Sequence, residues 1–343
     1  MIPEQHINFH VPQELNASVP PERRGVKRDH VKMMVLDRKT GKNTHDQFYN
    51  LDQHLNPGDL IVLNNSRTIP AVLSASLKRS FLTVDPKVEI RLAHRKGDNI
   101  WDVLIVSEKA KTGDILYFSD YLQAVIMPID INKPLQTIVF PQNGHELLNS
   151  IYKLGEPVRY EYIHTPWNLD YYQTVYASYP GSIEMPSAGR AFTWELLFKL
   201  QKKGIRIAYL QLHTGLSYFL DDKWTMNPSE NQEEYEIPES TMQSFLQTKA
   251  EGGRVIAVGT TVVRALETAV FNQNLKGWTN LYIHSDYKLK AADGIITGLH
   301  EPEASHLDML SAFVNPRCLI RSYKDAILKN YLWHEFGDMN LII

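Results

Sequence analysis

The sequence predicts an α/β protein, with one α/β domain interrupted by an inserted antiparallel β-barrel domain. Three observations carry that prediction. The β-branched run Val255-Ile256-Ala257-Val258 passes through Gly259-Thr260-Thr261 into a stretch with apolar residues at Val262, Leu266 and Val270, the pattern of a buried strand turning into a helix. Strand and helix patterns alternate from about residue 193 onward, as a mostly parallel sheet requires. From about residue 71 to 156 the texture changes to short alternating runs separated by Gly and Pro turns, as in a small antiparallel barrel. The expected division is 1–70 and 157–343 for the α/β domain and 71–156 for the barrel.

The elements follow in order. Residues 33–36 form an apolar run before the turn Asp37-Arg38-Lys39-Thr40-Gly41. A second turn, Leu55-Asn56-Pro57-Gly58-Asp59, leads into a strand over 60–63. In the insert, 88–92, 101–106, 115–118 and 124–127 read as short strands, with turns at Lys96-Gly97-Asp98 and Thr112-Gly113-Asp114. Thr193 suits the cap of a helix over 194–203 with the stripe Leu196, Leu197, Leu200 and the stop Gly204. A strand over 205–212 and a helix over 238–249 come next. In the strand-to-helix segment Gly259 permits the sharp turn, and Thr260 or Thr261 would cap the helix. A strand over 280–284 follows.

Composition narrows the function classes. With 343 residues, 43% hydrophobic and 22% charged, the chain has room for two domains and the balance of a soluble globular protein. No run approaches ~18 consecutive apolar residues, so no membrane helix is expected. The start lacks a basic region followed by an apolar one, so no signal peptide is expected and the cytoplasm is the expected location. The single cysteine, Cys318, excludes an internal disulfide and a cysteine-rich zinc site. Net charge is −3, which gives no global pull toward nucleic acid. Clusters at Arg23, Arg24, Lys27, Arg28 and at Lys202, Lys203, Arg206 could meet phosphates locally, and such binding would weaken with salt.

Candidate site residues lie at the ends of the expected strands, where open α/β sheets bind ligands. His213 and Gly215 follow the strand over 205–212, and Arg67 follows the strand over 60–63. Gly259, Thr260 and Thr261 would offer backbone N–H groups at a helix N-terminus. His300 stands beyond a strand-like run at 294–299, and Glu230, Glu233 and Glu234 could supply a base if partly buried. The spacing of His300, Glu301, Glu303 and His306 looks metal-like, but nothing else in the chain supports a metal.

A set of ordered motifs resembles the S-adenosylmethionine:tRNA ribosyltransferase-isomerase family of queuosine biosynthesis. They include Leu55-Asn56-Pro57-Gly58-Asp59, Tyr172-Gln173-Thr174-Val175-Tyr176-Ala177, Pro186-Ser187-Ala188-Gly189, Val255-Ile256-Ala257-Val258-Gly259-Thr260-Thr261 with Arg264, Asp293-Gly294-Ile295-Ile296-Thr297 and Phe336-Gly337-Asp338-Met339. The resemblance implies a two-domain enzyme that moves the ribosyl part of S-adenosylmethionine to an aminomethyl-deazaguanine at the tRNA wobble position, forming epoxyqueuosine and releasing adenine and methionine. It implies S-adenosylmethionine and tRNA as partners, no resident cofactor or metal, and leaves the oligomeric state open, a monomer being the simplest case. That chemistry needs a base for a C5′ proton acidified by the sulfonium, help for departing adenine, and a neutral attacking amine. On the matching positions, His213, Glu233 and His300 would handle protons, while Arg67, Gly189, Gly215, Gly259, Thr260, Thr261 and Arg264 would bind substrate.

The chain departs from the family pattern near these positions. Where the family shows Pro-Thr-Ala-Gly-Leu-His-Phe, this chain has Arg190 and Ala191 before Phe192, gaining a charge and losing an imidazole. Met-His-Ser-Glu becomes Glu230-Asn231-Gln232-Glu233, His-Val-Gly-x-Gly-Thr-Phe becomes His213-Thr214-Gly215-Leu216-Ser217-Tyr218-Phe219, and Asn-Phe-His-Leu-Pro becomes Gly298-Leu299-His300-Glu301-Pro302. Two other readings therefore stay open at this point: a relative that binds S-adenosylmethionine or a nucleoside but modifies another acceptor, and a non-catalytic RNA-binding module.

Overall fold

The computed structural model describes residues 9–217, 232–300 and 305–343. The chain starts with strands β1 (Lys32–Leu36), β2 (Asn43–Gln47), β3 (Leu60–Asn64) and β4 (Ser66–Thr68). Six strands then wind into a barrel: β5 (Val72–Arg79), β6 (Leu82–Arg95), β7 (Ile100–Val106), β8 (Ile115–Ser119), β9 (Leu122–Ile126) and β10 (Gln136–Val139). Helix α1 (Gly144–Leu154) and strand β11 (Tyr179–Ser182) lead back to the main body. There α2 (Trp194–Lys202), β12 (Arg206–Leu212), β13 (Glu233–Glu236), α3 (Glu239–Ala250), β14 (Val255–Val258), α4 (Thr260–Asn272), β15 (Lys276–Thr279), β16 (Gly294–Gly298), α5 (Ser305–Phe313), α6 (Pro316–Leu328) and β17 (Met339–Ile342) complete the fold.

Nine strands form one sheet in the order β15-β13-β12-β3-β14-β16-β17-β1-β2. Its centre, β12, β3, β14 and β16, is mutually parallel, with Arg206 beside Leu60, Val255 beside Leu60 and Ile256 beside Gly294. Strands β3 and β14 are buried along their whole length, which explains the apolar runs 60–63 and 255–258. Two apolar clusters form around the sheet, one including Leu60, Val62, Val262 and Leu266, the other Ile61, Leu63, Leu196 and Leu200. The barrel closes through the order β10-β7-β6-β5-β8-β9, every pair antiparallel. Its interior is filled by Leu73, Leu77, Ile90, Trp101, Val103, Leu116 and Ile126. At its root Val72 bridges to Glu156, so the strand entering the barrel and the segment leaving α1 lie side by side.

Local chemistry accounts for the helix boundaries. The Thr193 hydroxyl accepts from the Leu196 N–H, and Gly204 takes a left-handed φ of 88° just past the end of α2. At α4 the expectation needs correcting, because no side chain caps the helix. Gly259 itself is the N-cap at φ 91°, and Thr261 Oγ1 instead faces Asn64 Nδ2 at 3.5 Å. The strand expected over 280–284 lies earlier, at β15. Its ladder with β13 runs out where Thr279 faces Glu233, the first residue of β13. Among the described residues no helix is long and apolar enough to cross a membrane.

Candidate active site

Four parallel strands end at one edge of the sheet, and that brings distant residues together. Asn64, His213, Gly259 and Leu299 stand at or just beyond the carboxyl ends of β3, β12, β14 and β16. The buried Asn64 side chain fixes this edge. Its Nδ2 donates to Leu212 O at 2.8 Å, and its Oδ1 accepts from Leu212 N at 3.1 Å and Ser66 N at 3.0 Å. Ser66 is thereby placed with its hydroxyl 2.6 Å from His213 Nδ1. The imidazole lies over Gly181, where an added Cβ would come within 2.7–2.9 Å of three ring atoms. Burial, with the Arg95 charge adding to it, lowers the His213 pKa to about 4, so the ring is neutral at neutral pH.

Glu233 and Arg264 come together on the inward face of β13. Glu233 begins β13, is 4% exposed, and forms an ion pair with Arg264 on α4. The Glu233 Oε1 also accepts from Gly215 N at 3.4 Å. Gly215 is held close to the barrel, for a Cβ there would meet His94 Nε2 at 2.3 Å. Glu230 lies outside the described residues. Past the end of β16, His300 Nε2 is 2.7 Å from the Thr297 hydroxyl, and its ring stacks on His306 of α5 with centroids 4.4 Å apart and planes 3° from parallel. Stacked this way, the two imidazoles face each other rather than converge on one point. Burial holds His300 well below the ordinary histidine range and brings His306 down to about 4, the Arg264 charge assisting at His306.

The remaining candidates lie at different distances from this edge. Gly189 ends a short turn, Ser187–Gly189, and leaves room for the Tyr176 hydroxyl, which a Cβ would meet at 2.1 Å. Gly259 sits against Ala188 of the same turn. Thr260 and Thr261 are buried at the uncapped N-terminus of α4. Arg67 is exposed on β4, beside Tyr152 of α1, whose pKa burial raises against the pull of the Arg67 charge and hydrogen bond.

Several residues of this edge were not legible as site residues. Glu184 accepts from Ser217 N at 2.8 Å, from the Ser217 hydroxyl at 2.7 Å and from the Tyr160 hydroxyl at 3.1 Å. Burial raises its pKa, and the Glu233 charge adds to the effect. Glu335, with one carboxyl oxygen buried, is pushed up to about 8 by burial and by the charge of Glu184, against the pull of Arg190. Tyr160, Tyr162 and His334 stack in series at 5.8 and 4.8 Å. The charge gained at Arg190 is buried, donating to Tyr171 O at 2.8 Å and pairing with Glu22 at 3.0 Å. These groups come from loops with no periodicity. The one available signal was the unusual charge density on either side of two matched motifs, at Glu184 and Arg190 and at His334 and Glu335.

A cavity of about 340 Å³ opens between this edge and the barrel, lined by His213, Gln211, Glu234 and Glu236 from the sheet, Arg95 from β6, His145 from α1 and Tyr179 from β11. Neutral imidazoles, a buried carboxylate–guanidinium pair and an uncapped helix N-terminus gathered at the carboxyl edge of a parallel sheet define an α/β enzyme with its site at the strand ends. The chain belongs to the family described as queuosine biosynthesis protein, whose pattern matches residues 4–342. It is 36% identical over 98% of both chains to the S-adenosylmethionine:tRNA ribosyltransferase-isomerase of Thermoanaerobacter sp. (strain X514), and 34% identical over the same shares to that of Sulfurihydrogenibium sp. (strain YO3AOP1). Its fold is similar to the crystal structure of S-adenosylmethionine tRNA ribosyltransferase from Thermotoga maritima, with a TM-score of 0.55 and 29% identity, covering 99% of this chain and 100% of that one.

Proposed function

We propose that this chain is an S-adenosylmethionine:tRNA ribosyltransferase-isomerase, moving the ribosyl part of S-adenosylmethionine to the aminomethyl-deazaguanine of a tRNA wobble position and forming epoxyqueuosine. Full-length likeness to relatives bearing that activity's name supports this over another acceptor or a non-catalytic binder. The observation that carries the site assignment is the neutral His213 held by Ser66 at the sheet edge. With its Nδ1–H donating to the Ser66 oxygen, Nε2 keeps a lone pair and accepts the C5′ proton acidified by the neighbouring sulfonium. His300, likewise neutral and held by Thr297, is the second proton-handling group.

Glu233 takes a different part from a free base. Its pairing with Arg264 neutralises the carboxylate, so the pair orients the strand edge and presents a fixed dipole to substrate. The N–H groups at Thr260 and Thr261 suit a polar or anionic group of the substrate. No step of the reaction as written calls for a metal or redox partner. The test is adenine release from S-adenosylmethionine, with and without tRNA carrying aminomethyl-deazaguanine. Release only with that tRNA is expected, falling at least a hundredfold in His213→Gln. Release independent of the tRNA, or unchanged in that variant, would refute the assignment.

A further inference from the structure

The cavity beside the barrel gathers several polar side chains in its lining. In the β12–β13 ladder Gln211 faces Glu236 and Leu212 faces Tyr235, while His213 N donates to Glu234 O at 3.2 Å. Side chains directly opposite in an antiparallel pair share a face. Gln211, Glu236, His213 and Glu234 therefore lie on one face, and Leu212 and Tyr235 enter the core on the other. An antiparallel edge of this kind commonly leaves one face to water. Here it carries an amide, an imidazole and two carboxylates, Glu236 pairing with Lys276 at 2.8 Å, and the Arg95 guanidinium, which also pairs with Asp98 at 2.8 Å, lines the same cavity. At about 340 Å³ the space falls in the ~300–1,000 Å³ range of small-ligand pockets. Tyr179 stands at its rim, 55% exposed, with a ring face available for stacking.

A half-exposed face offering acceptors and one strong donor suits a planar ring whose edge presents donors beside an acceptor. A guanine-type edge does so, with N1–H and the exocyclic amino group as donors and O6 as acceptor. We propose that this cavity receives the deazaguanine ring of the acceptor nucleotide, Glu234 accepting from N1–H and the exocyclic amine and Arg95 donating to O6. The assignment rests on the tRNA reading above and adds to it the residues that select the base. An adenine ring in the same pose would set its N1 lone pair against the Glu234 carboxylate and leave Arg95 facing an amino group, so it is rejected by unpaired polar groups.

The experiment compares binding of two anticodon stem-loops by the full chain, one with aminomethyl-deazaguanine and one with adenine at the wobble position. Wild type is expected to prefer the first at least tenfold. Glu234→Gln, which keeps shape but replaces an acceptor oxygen with a donor, should erase that preference and leave S-adenosylmethionine affinity and thermal midpoint unchanged. A variant that keeps the preference overturns the cavity assignment while leaving the functional reading standing. Wild type that binds both RNAs equally, or neither, overturns the functional reading and this inference with it.

Discussion

At the residue scale, proton affinity is set by enclosure. An imidazole in an unfolded chain takes up a proton below about pH 6.5, whereas His213 and His306 hold out to about 4. Their folded-state pKa values are depressed, so the stability they contribute is present above pH 6.5 and is lost as pH falls toward 4. Glu335 runs the other way. Its folded-state pKa is raised to about 8, so its contribution is present below the ordinary carboxylate range and is lost as pH rises through 8. Thermal midpoints should therefore fall on both sides of neutrality. His213→Gln should flatten the acid limb and Glu335→Gln the alkaline one, which scanning calorimetry from pH 4.5 to 9 would show. Unchanged limbs in both variants would mean that other groups set the pH response. His213 was legible because a histidine after an apolar strand stands at a sheet edge. Glu184 and Glu335 were not, since nothing in sequence says that loops so far apart meet.

At the scale of elements, the Glu233–Arg264 pair ties β13 to α4 through the interior. Arg264→Ala would strand a buried carboxylate, at a cost of about 3–5 kcal/mol. Removing both charges, with Glu233→Gln and Arg264→Met, should recover most of that loss. A double-mutant cycle by denaturant unfolding decides it, and additive losses would deny the coupling. The same pair shows how far sequence reading reached. Both residues were singled out, one as base and one as ligand contact, and their mutual partnership is a property of strand register that no spacing reveals. Apolar β3 and β14 and the capped α2 were readable because local propensity and burial agree there. Strand β13 was hidden because Glu233, Glu234 and Glu236 look like a solvated run, although Glu233 and Tyr235 point inward.

At the scale of the whole molecule, the barrel meets the sheet edge at Gly215 and Leu216. Gly215 lies against Ala93 and His94 of β6, and Leu216 N donates to Ala93 O at 3.2 Å. A larger residue at this contact should lift the barrel from the sheet edge and open the cavity beneath it. Gly215→Val is expected to lower turnover at least tenfold while the far-ultraviolet dichroism stays that of wild type. Full activity in that variant would show that the barrel's seating is immaterial to the site. The insertion itself was evident from the change of texture near residue 71, but the surface it covers depends on where the closed barrel leans, which only the three-dimensional arrangement discloses.

The position of β3 has a consequence for how the chain acquires its shape. It lies inside the sheet, fourth in the order of nine strands, yet its neighbours are Arg206–Leu210 on one side and Val255–Ala257 on the other. The barrel's strand pairings are complete by Val139. During synthesis the barrel can therefore close while a strand already made, apolar from Leu60 to Leu63, waits with both edges bare for partners not yet translated. Pairing across so long a stretch of sequence is intrinsically slow, and chains stopped before residue 258 are expected to aggregate more than the full chain.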